Sequence, residues 1–147
     1  MKLVRVLAML LALYVGLGLL ADAAIGWFQP QGGNTAVLRT FDPSGRSKDT
    51  VLGLLDDHGQ LWVESGHWFR GWYRRVAANP DVELVRAGVA APYRATPTDT
   101  PEAVDTVTRL MGKGTSSRYW IARTLLLFAP IKPVKLDPRA PASAPPG

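Results

Sequence analysis

The 147-residue chain contains no cysteine, so no disulfide can staple it and no thiolate can act as nucleophile or metal ligand. For the same reason, cysteine usage says nothing about redox compartment. Histidine is almost as scarce: His58 and His67 are the two present, and neither has a second ligand at metal-like spacing. No metal site is expected. Acidic residues are outnumbered, 12 against 17 lysines and arginines, which leaves a net charge of +5. That balance favours anionic partners: phosphorylated cofactors, acidic lipid or nucleic acid. Internal repeats are lacking too. Apolar residues make up 47% of the chain, ample for the core of one domain.

The first 25 residues read as a signal peptide or membrane anchor. Lys2 and Arg5 precede an unbroken apolar run, Val6–Leu20, and Ala21-Asp22-Ala23 then gives an A-x-A-like arrangement. Counted from Leu3 to Leu20, the run also reaches the roughly 17–25 residues a membrane helix needs. The two leading positive charges favour an N-inside orientation, with the rest of the chain on the non-cytoplasmic side. The other end is the opposite case. From Pro130 proline recurs too often for a helix or an inner strand, so residues 130–147 are expected to be a mostly disordered tail. Within it, Ile131–Leu136 could form a short edge strand or lie along the domain surface.

Between these ends, residues 34–129 alternate short strands with turns. Ala36–Thr40 is followed by the turn signal Asp42-Pro43-Ser44-Gly45. Asp49–Asp56 carries Val51, Leu52, Leu54 and Leu55 and reads as one strand buried on both faces. Asp57-His58-Gly59 turns the chain into Gln60–Glu64 as a hairpin, and Val82–Arg86 pairs with Val89–Ala95 around Ala87-Gly88. Trp72–Ala78 is a short helix stopped by Asn79-Pro80. Thr100 caps a helix from Pro101 whose inner face is Val104, Val107, Leu110 and Met111, and Ser117–Phe128 forms a second apolar helix. The fold class is α+β: meandering strands closing into a small barrel, with helices packed on its outside.

One stretch concentrates the unusual chemistry. Residues 61–84 hold Trp62, Trp68 and Trp72, a Gly-containing loop and the basic run Trp72-Tyr73-Arg74-Arg75. In order along the chain come Thr40, Gly45-Arg46-Ser47, Trp72-Tyr73, Ala78-Asn79-Pro80 and Val82. That pattern resembles the deazaflavin (coenzyme F420)-dependent nitroreductase and quinone reductase family, over about Val37–Pro97. The chain departs from it at Lys48-Asp49, where the family has glycine, at Arg75, where it has asparagine, and at Ser65–Arg70, which is bulkier and more basic than the family's small-residue loop.

The resemblance implies a split β-barrel and a reductase that transfers hydride to a small organic acceptor, such as a quinone or nitro compound. The implied cofactor is deazaflavin, with FMN as second choice. Arg46, Ser47 and Lys48 would hold the phosphate-bearing tail. Backbone N–H groups at Ser65, Gly66 and His67 would face the polar edge of the ring, Trp68 or Trp72 would stack on it, and Tyr73 would shape the acceptor pocket at the catalytic position. Read without the resemblance, Arg46 and Lys48 equally suit a solvated turn, and Trp72 and Tyr73 a plug at a helix–sheet contact. Arg70, Arg74 and Arg75 form a basic face able to meet cofactor phosphate or anionic lipid. A non-catalytic, membrane-attached binding protein is the alternative function; a nucleic-acid binder ranks last, because an exported domain seldom meets nucleic acid.

Overall fold

The computed structural model describes residues 2–28, 34–66, 71–114, 116–125 and 128–140. Its elements run α1 (Lys2–Phe28), β1 (Thr35–Phe41), β2 (Ser47–Gly53), β3 (Leu55–Asp57), β4 (Gln60–Ser65), α2 (Gly71–Ala78), β5 (Asp81–Arg86), β6 (Val89–Pro97), α3 (Pro101–Leu110), α4 (Ser117–Leu125) and β7 (Lys132–Pro138). The seven strands form an antiparallel sheet in the order β2-β1-β5-β6-β7-β4-β3. Its two edge strands, β2 and β3, are consecutive in the chain and separated by Leu54 alone. Laid flat, seven strands would hold these edges about 29 Å apart at the usual spacing of about 4.8 Å. The step from Gly53 to Leu55 can span only about 7 Å. The sheet must therefore curl on itself as a split barrel, with Leu54 buried at the seam. Asn34 fastens that seam, its carbonyl accepting from the Leu54 N–H and its side-chain amide donating to the Leu54 carbonyl.

Two expectations fail here. Asp49–Asp56 is not one strand buried on both faces. It breaks at Leu54, and Ser47–Asp49 and Gly53 are exposed because β2 lies at the edge of the sheet. Residues 132–138 are not an edge strand in a disordered tail: β7 lies between β6 and β4, so the barrel runs on to Pro138. Its two prolines explain how. Pro133 and Pro138 stand near the two ends of the strand, which leaves Val134–Asp137 free to donate to the ladders. Residues 141–147 lie outside the described residues.

The alternation of β1, buried at Ala36, Leu38 and Thr40, divides the sheet into an inner and an outer face. The inner face supplies Leu38, Leu61, Val63, Val82, Leu84, Ala95, Val134 and Leu136, and α2 adds Trp72 and Val76 to the same cluster. Thus α2 plugs the barrel rather than packing on its outside. By contrast, α3 covers the outer face, where Ala103 and Val107 meet Trp62, with Leu55, Leu110, Met111 and Ile131 around them. Its start is as expected: Thr100 accepts from the Ala103 N–H, and Pro101 opens the helix. The Ala87-Gly88 turn also matches, both residues having positive φ (48° and 79°), as a tight hairpin of this twist requires. Phe128, expected to close α4, stands in a turn instead.

Trp72 is 4% exposed, and its indole N–H has no acceptor among the described residues. Emptying its site by Trp72→Ala should cost about 3–5 kcal/mol. Trp72→Phe, which removes the unpaired donor together with part of the ring, should cost less than about 1.5 kcal/mol. Urea unfolding followed by circular dichroism measures both; equal losses would mean that the nitrogen finds a partner.

Candidate functional site

One end of the barrel gathers the chemistry. Here β1 and β4 finish, β2 and β7 begin, and α2 crosses from the end of β4 to the start of β5. Helix α2 starts at Gly71, is stopped at Asn79-Pro80, and directs Trp72 and Val76 into the core. Its other side chains are left at the barrel mouth.

Arg75 is the residue best fixed there. Its Nε–H donates to Thr40 Oγ1 at 2.7 Å, and the Thr40 hydroxyl donates in turn to the Lys48 carbonyl at 3.1 Å. The guanidinium reaches back over Gly71: a Cβ on that glycine would stand 3.2 Å from Arg75 Nη1. Burial depresses the Arg75 pKa, and the nearby Asp42 carboxylate works against that shift. Gly71, Arg74, Arg75 and Ala78 line a shallow depression of about 360 Å³. Arg74 and Lys48 are exposed and have no anionic partner among the described residues.

The expected tail-binding residues divide three ways. Lys48 lies directly opposite the inward-facing Thr40, so it shares the inner face with the end that Arg75 occupies. Ser47, one residue away, pairs with Phe41 on the outer face, and strand alternation keeps its side chain from meeting the same ligand as Lys48. Arg46 is 84% exposed and already engaged: its Nε donates to Asp42 Oδ2 at 3.0 Å and to Ser44 Oγ at 3.1 Å. The Asp42 carboxylate also accepts from the Ser44 hydroxyl and from the backbone N–H groups of Ser44 and Arg46.

Ser65 and Gly66 are buried at the end of β4. Ser65 stands opposite Lys132, on the inner face shared by the Val63–Val134 pair. His67 and Trp68 lie outside the described residues. Trp72 is held in the core, edge-on to Tyr73 with ring centroids 5.9 Å apart. Tyr73 is half-buried on the far side of α2 from Arg75, near Lys132, whose Nζ pairs with Asp99 at 2.7 Å. Burial raises the Tyr73 pKa; Asp99 raises it further, and Lys132 opposes. The hydrogen bond to Asp99 raises the Lys132 pKa. The Lys132–Asp99 pair was not among the expected site residues, and Arg75 was expected only as part of a basic face with Arg70 and Arg74. Arg75 does lie in the basic run beside Trp72, but nothing in the sequence links it to Thr40. Among the described residues no cluster of His, Asp or Glu could hold a metal ion.

An antiparallel sheet curled into a split barrel, plugged by one helix and flanked by others, defines the class of fold. Solved structures share it at low identity. An F420-H2 dependent reductase matches with a TM-score of 0.53 at 18% identity, over 71% of this chain and 93% of that one. HutZ, the haem storage protein from Vibrio cholerae, matches at 0.53 and 16%, over 82% and 91%. A conserved hypothetical protein from Mycobacterium tuberculosis matches at 0.53 and 14%, over 79% and 86%. The sequence matches no family model and no curated protein.

The β1–β2 turn makes a pH prediction. Hydrogen bonds, the one from the Ser44 hydroxyl foremost, lower the Asp42 pKa from 3.8 to about 2. A depressed carboxyl contributes stability above its unfolded value and loses it as pH falls through the folded one. Carboxyl NMR should therefore show Asp42 titrating near 2, with faster exchange of the Ser44 and Arg46 amides only below that pH. Titration at an ordinary carboxylate value would mean that the turn is not held this way in solution.

Proposed function

We propose that the barrel mouth binds a phosphate-bearing redox coenzyme, a deazaflavin first and FMN second, and that the protein reduces a small organic acceptor such as a quinone or nitro compound. The observation that carries this reading is Arg75. Its guanidinium is held through one nitrogen by Thr40, so the terminal nitrogens remain for an oxyanion. The donor set fits such a tail: Arg74 and Lys48 add positive charge at the same mouth, and Gly71 leaves the approach open.

The coenzyme, when bound, supplies the hydride chemistry itself, so the protein need only bind, orient and exclude water. Arg75, Arg74 and Lys48 would hold the tail. Ser65 and Gly66, at the end of β4, would present backbone groups to the ring edge. Tyr73, kept protonated by burial, would offer a neutral hydroxyl to the acceptor. Ser47 and Arg46 would contribute less than the family pattern implies, because one faces outward and the other is spent on Asp42. Trp72 would shape the mouth from beneath rather than stack, which leaves Trp68 for stacking.

A second reading keeps the barrel without catalysis, as a binding protein attached to the membrane. The engagement of Arg46 with Asp42 favours it, as does the likeness to a haem storage protein. In both readings α1 has a part. Lys2–Leu20 is long and apolar enough to cross a membrane, and we place the barrel on its non-cytoplasmic side.

Titration of the purified chain with F420, FMN and haem, followed by tryptophan fluorescence and visible absorbance, separates the readings. Saturable binding of F420 or FMN is expected, weakened about tenfold by Arg75→Ala, equivalent to about 1.4 kcal/mol. Silence toward both, with a shift of the haem band, would establish the binding protein instead. A reporter fused after Gly147 that is active only in the cytoplasm would sink the assigned topology.

A further inference from the structure

Large apolar side chains are rarely exposed on the barrel domain. Outside α1, those that are exposed among the described residues are Val89, Trp120, Ile121 and Phe128. Three of these four belong to α4 or the turn just after it, at 50%, 59% and 54% exposure. Helix α4 lies against α1. Tyr14, in the middle of the apolar run, donates its hydroxyl to the Thr124 carbonyl at 2.8 Å. Gly18, one turn further along α1 on the same side, is buried. Meanwhile Tyr119 is buried, whereas Trp120 and Ile121 beside it on α4 are exposed.

Two carbonyls at this end of α4 find partners within the protein. The last carbonyls of a helix have no intrahelical partner. Here the Thr124 carbonyl is met by Tyr14 and the Arg123 carbonyl by the Phe128 N–H at 2.7 Å. Arg123 donates to the Phe128 and Ala129 carbonyls and lies 6.0 Å from the centre of the Phe128 ring. A helix end in water does not need this provision; one in a medium without water does.

We infer that α4 and Phe128 form a second membrane contact, lying in the lipid interface against α1. The inference rests on α1 residing in the bilayer, and it goes beyond the proposed coenzyme site. Depth agrees with it. Tyr14 is six residues from Leu20, about 9 Å along the helix axis, and interfacial helices bury their apolar faces about 5–10 Å deep. Tryptophan and tyrosine are also the side chains that settle at this level. The barrel is then held against the membrane at two points, with a fixed orientation, rather than swinging from a single helix.

The absence of native cysteine allows a direct test. Single variants Ile121→Cys, Phe128→Cys, Val89→Cys and Leu10→Cys of the full chain, each carrying an environment-sensitive fluorophore, are reconstituted in phosphatidylcholine–phosphatidylglycerol vesicles. Probes at 121 and 128 should shift to the blue and be quenched several-fold more by nitroxide-labelled lipid than by aqueous iodide. The probe at 89 should show the reverse preference. Probes at 121 and 128 that behave like 89 while the one at 10 is in lipid would overturn the second contact and leave the anchor standing. An aqueous probe at 10 would overturn both. Shielding of 121 and 128 from both quenchers would assign the patch to a protein neighbour and reject the lipid assignment, and none of these outcomes bears on coenzyme binding.

Discussion

The barrel depends on one geometric constraint: the two edge strands of a seven-stranded sheet are joined through a single residue, Leu54. Curling brings the inner faces of all the longer strands around a common axis. That axis must be filled, and α2 fills it with Trp72 and Val76, each worth about 1.5–3 kcal/mol of burial or more. Because β2 and β3 meet at a seam without a ladder between them, the polar backbone there needs other partners. Asn34 supplies them from just before β1. The seam and the plug are thus one solution: the sheet closes because it has something to close around.

The same short helix carries both stability and chemistry. Positions 72 and 76 face the core, while 71, 74, 75 and 78 line the depression at the mouth, as 3.6-residue periodicity demands. Arg75 joins the two roles. Its bond to Thr40, a fully buried hydroxyl on β1, ties the charged face of α2 to the wall of the barrel. A ligand gripping Arg75 would therefore pull on the barrel itself rather than on a loose side chain.

Features with a local cause were legible in the chain. Asn79-Pro80 stops α2, Ala87-Gly88 turns a hairpin, and Thr100-Pro101 opens α3, each through chemistry confined to a few residues. What needed three dimensions was missed. Prolines near both ends of β7 disguised an inner strand as a tail, since only the neighbouring strands show which N–H groups must donate. Asp49–Asp56 looked continuous because apolar residues at a curling seam mimic a strand buried on both faces. At the site, sequence order put Arg46, Ser47 and Lys48 together, yet pleating sends Ser47 outward and Asp42 occupies Arg46. The residues that do converge, Thr40 with Arg75 and Ser65 with Lys132, are 35 and 67 positions apart.

The place of β7 has a temporal meaning. It is the last strand among the described residues and lies between two partial sheets, β2-β1-β5-β6 on one side and β4-β3 on the other. Until Lys132–Pro138 is available, no backbone ladder joins these halves, and pairing such as Leu61 with Leu136 must wait for nearly the whole polypeptide. The barrel therefore cannot shut before Lys132–Pro138 has been made. Until then the edges of β6 and β4 that β7 will cover stand unpaired, which is the state most open to pairing with another chain.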